Sequence, residues 1–427
     1  MTLNEKPYWW DTAPDLPSYA DRPLRPSADV VVIGGGYTGL SAARQLAKSS
    51  ASVIVLEKET IGWGASSRNG GQVLTGLKVG VTTLVARYGL ATATRLFSAA
   101  MKSIEYVAQL VEDESIDCGF TRCGNLDAAS KPAHFEHFKK ARDLLAREFD
   151  VGLELIPRDE QRCEVGSEAY FGVMVDPHSA ALHPARYVRG LARAAERAGA
   201  VLHDKTPALR IERRRAGFAV TTTRGVIAAD DVFVATNGYT DAVAPALRRR
   251  VIPIGSYIIA TEPLSGDAAA RLLPKRRVVS DSRNFLHYYR LSDDNRLIFG
   301  GRAEFVPSTA DSSRRSAQIL RRDMVQVFPQ LRDVNVEYAW GGNVCFTQDL
   351  LPHAGQMPDG VHFAMGYGGH GVAMATYLGA KMADVMLGKD DQNPFRGMPF
   401  RAIPLYNGRP WFLPFAALYY RFLDWIG

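Results

Sequence analysis

Cysteine is scarce in this chain, and the four present, Cys118, Cys123, Cys163 and Cys345, are scattered without a CxxC pair. That excludes a disulfide-framed scaffold and a cysteine-held zinc site, and it fits a reducing compartment. No metal site is expected. Long hydrophobic runs are missing as well: no stretch of eighteen apolar residues could span a bilayer. Met1–Pro14 has acidic residues and Trp9-Trp10 where a secretion signal would have an apolar segment. A cytoplasmic location is therefore expected. Charge of one sign is also in short supply, since 51 basic against 45 acidic residues leave a formal charge of only +6. The runs Arg213-Arg214-Arg215 and Arg248-Arg249-Arg250 have neither aromatic interleaving nor zinc-finger spacing, so they read as solvated faces and no nucleic-acid partner is expected.

What is present is an ordinary globular composition, 46% apolar and 22% charged, in a chain of 427 residues. That length exceeds one core of usual size and predicts two interleaved domains. Residues 1–27 look like an extended arm. From Ala28 the pattern runs strand, glycine turn, helix to about Lys48, then a second strand, Val53-Ile54-Val55-Leu56. Such β-branched runs suit parallel strands buried on both faces. Helices are predicted over 81–114, 132–149 and 185–199, and a short strand over Gly124–Ala128. Residues 207–236 read as a small antiparallel meander, and 251–262 and 285–302 as strand-rich. A last glycine cluster at 366–371 opens a helix to Leu387.

The first glycine motif is Gly34-Gly35-Gly36-Tyr37-Thr38-Gly39. In GxGxxG form, Gly34 makes the tight turn, Gly36 lets backbone approach a pyrophosphate, and Gly39 permits close helix–strand packing. Glu57 ends the second strand 18 residues after Gly39, where a carboxylate can accept from both ribose hydroxyls. The glycines alone would be weak evidence; with this context they mark a dinucleotide site. A nicotinamide enzyme would continue with further strand–helix units. Instead Gly62–Gln72 brings a second glycine-rich segment at once, and Gly366–Gly371 a third at a helix N-terminus. A helix N-terminus stabilises negative charge on a reduced flavin ring. Three such elements suit FAD.

To these elements the chain adds Gly64-Ala65-Ser66-Ser67-Arg68-Asn69-Gly70-Gly71-Gln72, Gly255–Pro263, Tyr289-Arg290-Leu291-Ser292, Trp340-Gly341-Gly342 and Gly368-Gly369-His370-Gly371-Val372. The combination resembles the D-amino-acid oxidase superfamily, which includes glycine and monomeric sarcosine oxidases, and within it the branch typified by γ-glutamylputrescine oxidoreductase. The resemblance implies an α/β plus α+β fold: a Rossmann-like FAD-binding domain of the glutathione-reductase kind, and a substrate domain whose antiparallel sheet roofs the flavin. It assigns 1–85, 180–250 and 335–390 to the first, 86–179 and 251–334 to the second, and leaves 391–427 as a tail packed on the body. Non-covalent FAD would be held by Gly34, Gly36, Tyr37, Thr38, Gly39, Glu57, Lys58, the segment from Gly64 to Gln72, Thr236, Asn237, Gly238, Gly342 and the segment from Gly368 to Val372.

Departures from the family pattern bear on the substrate. D-amino-acid and glycine oxidases have Gly-x-Arg-Pro-x-Thr-x-Asp, whose arginine grips the substrate carboxylate; here Gly342–Asp349 puts Val344 in its place. Sarcosine oxidase uses a lysine three residues after the histidine of its Gly-His-Gly segment, and here that residue is Ala373. A carboxylate clamp needs a cation in a fixed place. The resemblance therefore points to an extended amine such as a γ-glutamylated one, oxidised to an imine and then an aldehyde.

Several residues carry two readings. His370 either touches flavin or substrate or is a packed helix-start residue. Tyr257, His287 and Tyr289 either line the pocket or pack within the sheet. Arg68 either neutralises flavin charge or forms an interdomain ion pair. Cys345 reads as an inert buried thiol rather than a flavin attachment point. Ile298 aligns with the lysine that promotes oxygen reactivity in sarcosine oxidase. The electron acceptor is thus oxygen, giving hydrogen peroxide, or a quinone, as in an amino-acid dehydrogenase. The aromatic stretch Trp411–Trp425 either packs as a helix or touches a membrane surface. A non-catalytic FAD-binding module is the reading of another class, disfavoured by an intact roof domain.

Overall fold

The computed structural model describes residues 3–301, 309–389, 392–408, 410–413 and 415. Two large sheets organise it. The first has eight strands and is built around the apolar runs Ser27–Ile33 and Val53–Leu56, which pair in parallel; Gly225–Val234 pairs in parallel with Ser27–Ile33 from the other side. Val201–His203 and the hairpin of His353–Gln356 with His362–Met365 close its ends, and the meander Ala208–Arg213, Phe218–Thr222 hangs from Gly225–Val234. The helices Tyr37–Lys48, Pro184–Arg197 and Gly371–Met386 cover one face, burying Leu40, Leu191 and Leu378 completely.

The second sheet also has eight strands, in the order Val336–Phe346, Ile252–Thr261, Leu297–Gly301, His287–Leu291, Val278–Asp281, Asn125–Ala128, Val173–Asp176 and Glu154–Ile156. Alternation along these strands decides everything about the site. Leu126, Val175, Ile259, Val279, Tyr289 and Phe299 enter a core closed on the far side by the helix Ala310–Val327. Of their chain neighbours, Asp127, Asp176, Ser280 and Tyr288 face the cavity between the two sheets, and Ile258, Ala260 and Ile298 pack with Tyr8 and Trp9 of the arm.

All eight strands of the first sheet fall within 1–85, 180–250 and 335–390. Val336–Phe346 departs from that division: it pairs antiparallel with Ile252–Thr261 along almost its whole length and so belongs to the second sheet. The expected helix over 81–114 is two helices, Val81–Tyr88 and Leu90–Asp113, because Gly89 takes φ 75° between them and serves as N-cap of the second. The arm is not simply extended. It contains the short helix Tyr8–Asp11, and Trp9 is 1% exposed. No helix among the described residues is long and apolar enough to cross a membrane.

Candidate active site

A cavity of about 780 Å³ lies between the two sheets. Its dinucleotide end is built by the first strand–turn–helix. Gly34 has φ 113°, which a side chain would strain, and a Cβ there would come within 2.9 Å of the Ala235 carbonyl oxygen. A Cβ on Gly39 would fall 2.0 Å from the Gly34 carbonyl oxygen, so the helix can lie against the turn only because position 39 has none. The helix therefore presents the N-terminus at Gly36, Tyr37 and Thr38 to the cavity. Glu57 accepts from the Gly35 and Glu59 amides, each at 2.9 Å, leaving further lone pairs for hydroxyl donors; burial pushes its pKa up while those amides oppose the shift. A helix N-terminus and a fixed carboxylate 22 residues after Gly35 are the parts that a dinucleotide's pyrophosphate and ribose require, so the residues fit that group.

The middle of the cavity is lined by Gly64, Ala65, Ser66, Arg68, Asn69, Gly70 and Gln72, by Thr236 and Asn237, by Gly342, and by Gly368, Gly369, His370, Gly371 and Val372; Lys58 lines the dinucleotide end. Asn237 holds a left-handed φ of 45° and accepts the Gly366 amide through Oδ1 at 2.9 Å, tying the turn after Val234 to the third glycine segment. Arg68 forms no interdomain ion pair among the described residues. Its guanidinium lies between the Trp10 and Trp63 rings, 4.8 and 4.5 Å from their centroids, and donates to the Trp63 and Gly341 carbonyls. Burial lowers its pKa from the usual arginine value. His370 precedes the helix Gly371–Met386, and burial lowers its pKa to about 4, so it faces the cavity neutral. Its Nδ1 has no hydrogen-bond partner among the described residues.

Four residues of the expected cofactor set, Gly39, Ser67, Gly71 and Gly238, stand outside the cavity lining. Gly39 supports the helix packing just described. Ser67 donates to the Gly62 carbonyl and accepts from Trp10 Nε1 at 2.8 Å. Gly71 packs against the Leu182 carbonyl, and Gly238 against Asn343.

Three of the four expected catalytic residues are also turned away. Tyr257 donates to the Ser312 hydroxyl, Tyr289 donates to the Tyr170 hydroxyl at 3.0 Å, and both lie in the core behind the sheet. His287 is engaged by Asp281 at 3.1 Å and Asp323 at 3.4 Å. The reason is register: a one-residue step on a strand reverses the face. Ser256 and Tyr288, the neighbours of Tyr257 and of His287 and Tyr289, are the residues that face the cavity, and their hydroxyls meet at 2.9 Å. Ile298 is buried with Tyr8, Trp9 and Trp340, outside the cavity lining. Val344 does line it, whereas Ala373 is buried in the packing of the Gly371–Met386 helix. Cys345 lines it too, fully buried, with its thiol pushed up to about 12 by desolvation. Arg302 and most of the Trp411–Trp425 stretch, from Arg421 to Trp425 included, lie outside the described residues.

Further cavity residues went unread in the sequence: Lys78, Asn125, Asp127, Asp176, Ser256 and Tyr288. For Asn125 and Asp127 a signal existed, since two polar residues alternate with Leu126 and Ala128 on one short strand.

The family description "FAD dependent oxidoreductase" matches residues 29–385. The γ-glutamylputrescine oxidoreductase of Escherichia coli is 33% identical over 406 residues, 94% of each chain. A probable oxidoreductase, OrdL, of Rhizobium meliloti is 36% identical over 386 residues, 90% of this chain and 89% of its own. Among solved structures, glycine oxidase from Geobacillus kaustophilus superposes with a TM-score of 0.74 at 23% identity, covering 90% of this chain and all of that one. L-Proline dehydrogenase from P. horikoshii gives 0.69 at 22% identity, with 87% and 98% covered.

Proposed function

Because the chain belongs to the family of FAD-dependent oxidoreductases that act on amines and amino acids, we propose that its substrate is an extended amine whose carboxylate, if any, lies far from the carbon that is oxidised. A γ-glutamylputrescine-like compound is the representative, in keeping with the name of the E. coli relative. The observation that carries this reading is the cavity wall at Val344 and the burial of Ala373. Neither can hold a carboxylate, and burying one there unpaired costs several kcal/mol, about a hundredfold or more in binding.

FAD supplies the acceptor for the hydride that leaves the carbon next to nitrogen. The chain's own share is positioning and exclusion of water. Ser256 and Tyr288 would shape the roof over the reacting carbon, and neutral His370 could accept or donate one hydrogen bond at Nδ1 without adding charge. The candidate cofactor residues are those of the expected set that line the cavity, from Gly34 to Val372. Oxygen is the proposed acceptor, with hydrogen peroxide as product.

Anaerobic bleaching of the flavin tests the substrate. At matched concentration γ-glutamylputrescine should reduce it faster than glycine, sarcosine or D-alanine; faster reduction by any of those three would mean that a cation such as Arg68 or Arg302 clamps a carboxylate. Air is then admitted. Recovery of the yellow colour with peroxide release supports an oxidase, and a flavin that stays bleached for many minutes supports a quinone-linked dehydrogenase.

A further inference from the structure

Beyond Tyr288 the cavity wall becomes acidic. Asn125 and Asp127 share the cavity face of their strand. Asp127 stands opposite Ser280 on the next strand, and Ser280 opposite Tyr288 on the one after. At the usual spacing of paired strands Asp127 is about 10 Å from Tyr288. On its other side, Asn125 is paired in register with Asp176.

The hydrogen bonds here leave acceptors bare. Asn125 is 6% exposed and donates Nδ2 to Asp127 at 3.2 Å, yet its Oδ1 has no partner among the described residues. Asp176 accepts from the Thr75 and Ser179 hydroxyls and the His178 amide, all neutral donors. Lys78 faces Asp127 electrostatically, His137 lines the cavity from the helix Pro132–Phe149, and Asp281 is already matched by His287 and Arg283. No group of His, Cys, Asp and Glu among the described residues is placed to hold a metal ion.

We propose that Asn125, Asp127 and Asp176 bind a second, positively charged amino group of the substrate, remote from the C–N bond that is oxidised. An ammonium carries three donors and no acceptor, which suits the bare Asn125 Oδ1 and the two carboxylates beside it. The nitrogen held here is not the reacting one. Two carboxylates would keep a reacting amine protonated, and a protonated nitrogen has no lone pair to assist loss of hydride from its neighbour. Preferred substrates are therefore amines that carry a second, cationic nitrogen remote from the reacting one. The inference rests on the amine-oxidising reading above and names the end of the substrate that reading leaves open.

The matched probes are γ-glutamylputrescine and N-glutarylputrescine, which differ only in the remote ammonium. Anaerobic titration of the flavin-loaded enzyme reads binding as perturbation of the oxidised spectrum and reaction as bleaching. The first compound should bind at least about thirtyfold tighter. In D127N that ratio should fall toward one, and in D127E most of it should return. A series on the unaltered enzyme gives the same answer without a variant: burial, then Asp176, raises the Asp127 pKa to about 6, so the ratio should fall as pH drops below that value. Equal binding of the two probes, or a ratio that survives D127N and acid pH alike, overturns this inference alone. Failure of every amine to bleach the flavin overturns the proposed function, and this inference with it.

Discussion

Tyr289 stacks on Phe299 at 5.5 Å between centroids and donates to the Tyr170 hydroxyl, while Tyr288 beside it reaches the Ser256 hydroxyl on the cavity side. Two adjacent tyrosines thus have separable roles. Y289F should lose about 1 kcal/mol of stability, the usual worth of one buried hydrogen bond, read from urea unfolding, with the rate of flavin reduction unchanged. Y288A should retain the fold and slow anaerobic reduction by roughly ten- to a hundredfold, because a roof residue controls placement of the reacting carbon. Equal effects of both on the reduction rate would contradict the assignment of faces. Cys345 gives a second test at this scale. With its thiol pushed up to about 12, it has almost no thiolate to attach a flavin. Acid precipitation should leave the flavin in the supernatant, and yellow pelleted protein would point back to this thiol.

Among the elements, the helix Ala310–Val327 closes the core behind the second sheet, and His287 joins the two through Asp323 on the helix and Asp281 on the strand Val278–Asp281. Burial alone would lower the His287 pKa, but hydrogen bonds to Asp281 and Asp323 outweigh it and raise it to about 9. A folded-state pKa above the unfolded value of about 6.5 contributes stability that is complete below that pH and lost as pH rises through 9. Unfolding measured from pH 6 to 10 should show that loss, and H287N should be less stable at pH 6 with a flatter profile. A variant whose profile parallels the parent would exclude His287 as the linked group. Neither this helix nor the strand Val336–Phe346 was legible in the sequence. The helix is dense in serine and arginine, and the strand has Gly341-Gly342 at its centre, where propensity argues against a strand. Those glycines answer to tertiary demands: a Cβ on Gly342 would press on Arg68 at 3.3 Å. By contrast, the strand–glycine–helix unit, the helix Pro132–Phe149 and the helix Gly371–Met386 were readable because period and punctuation agree there. Which face of each roof strand meets the cavity was not, because alternation gives a period and not a direction.

At the scale of the whole molecule, the cavity depends on holding two sheets apart at a fixed distance, and the arm is part of what holds them. Trp9 packs with its neighbour Tyr8, with Ile258, Ala260, Ile298 and Trp340 from the second sheet, and with Ala185 at the start of the helix Pro184–Arg197. Its Nε1 donates to the Asn69 carbonyl at 2.9 Å, inside the second glycine segment, and Trp10 Nε1 reaches Ser67 from the same short helix. Tyr8 donates to Asp294 at 2.7 Å, while Arg189 donates to the Ala13 and Pro14 carbonyls. The arm therefore fastens both sheets to the segment proposed to flank the flavin. W9A should cost about 3–5 kcal/mol, as truncations of a buried tryptophan do, and part of that cost should appear as weakened flavin retention, since the loop from Gly64 to Gln72 loses its anchor. W9F separates the two contributions. It keeps most of the apolar contact and loses only the Nε1 bond, so it should recover most of the thermal midpoint while still releasing flavin more readily than the parent on gel filtration. If W9A unfolds earlier but binds flavin with parental affinity once folded, the arm is a stabilising strap alone, and the glycine segment is held in place by the strand Gln72–Val73 and by Trp340, whose Nε1 donates to the Arg68 carbonyl at 2.8 Å.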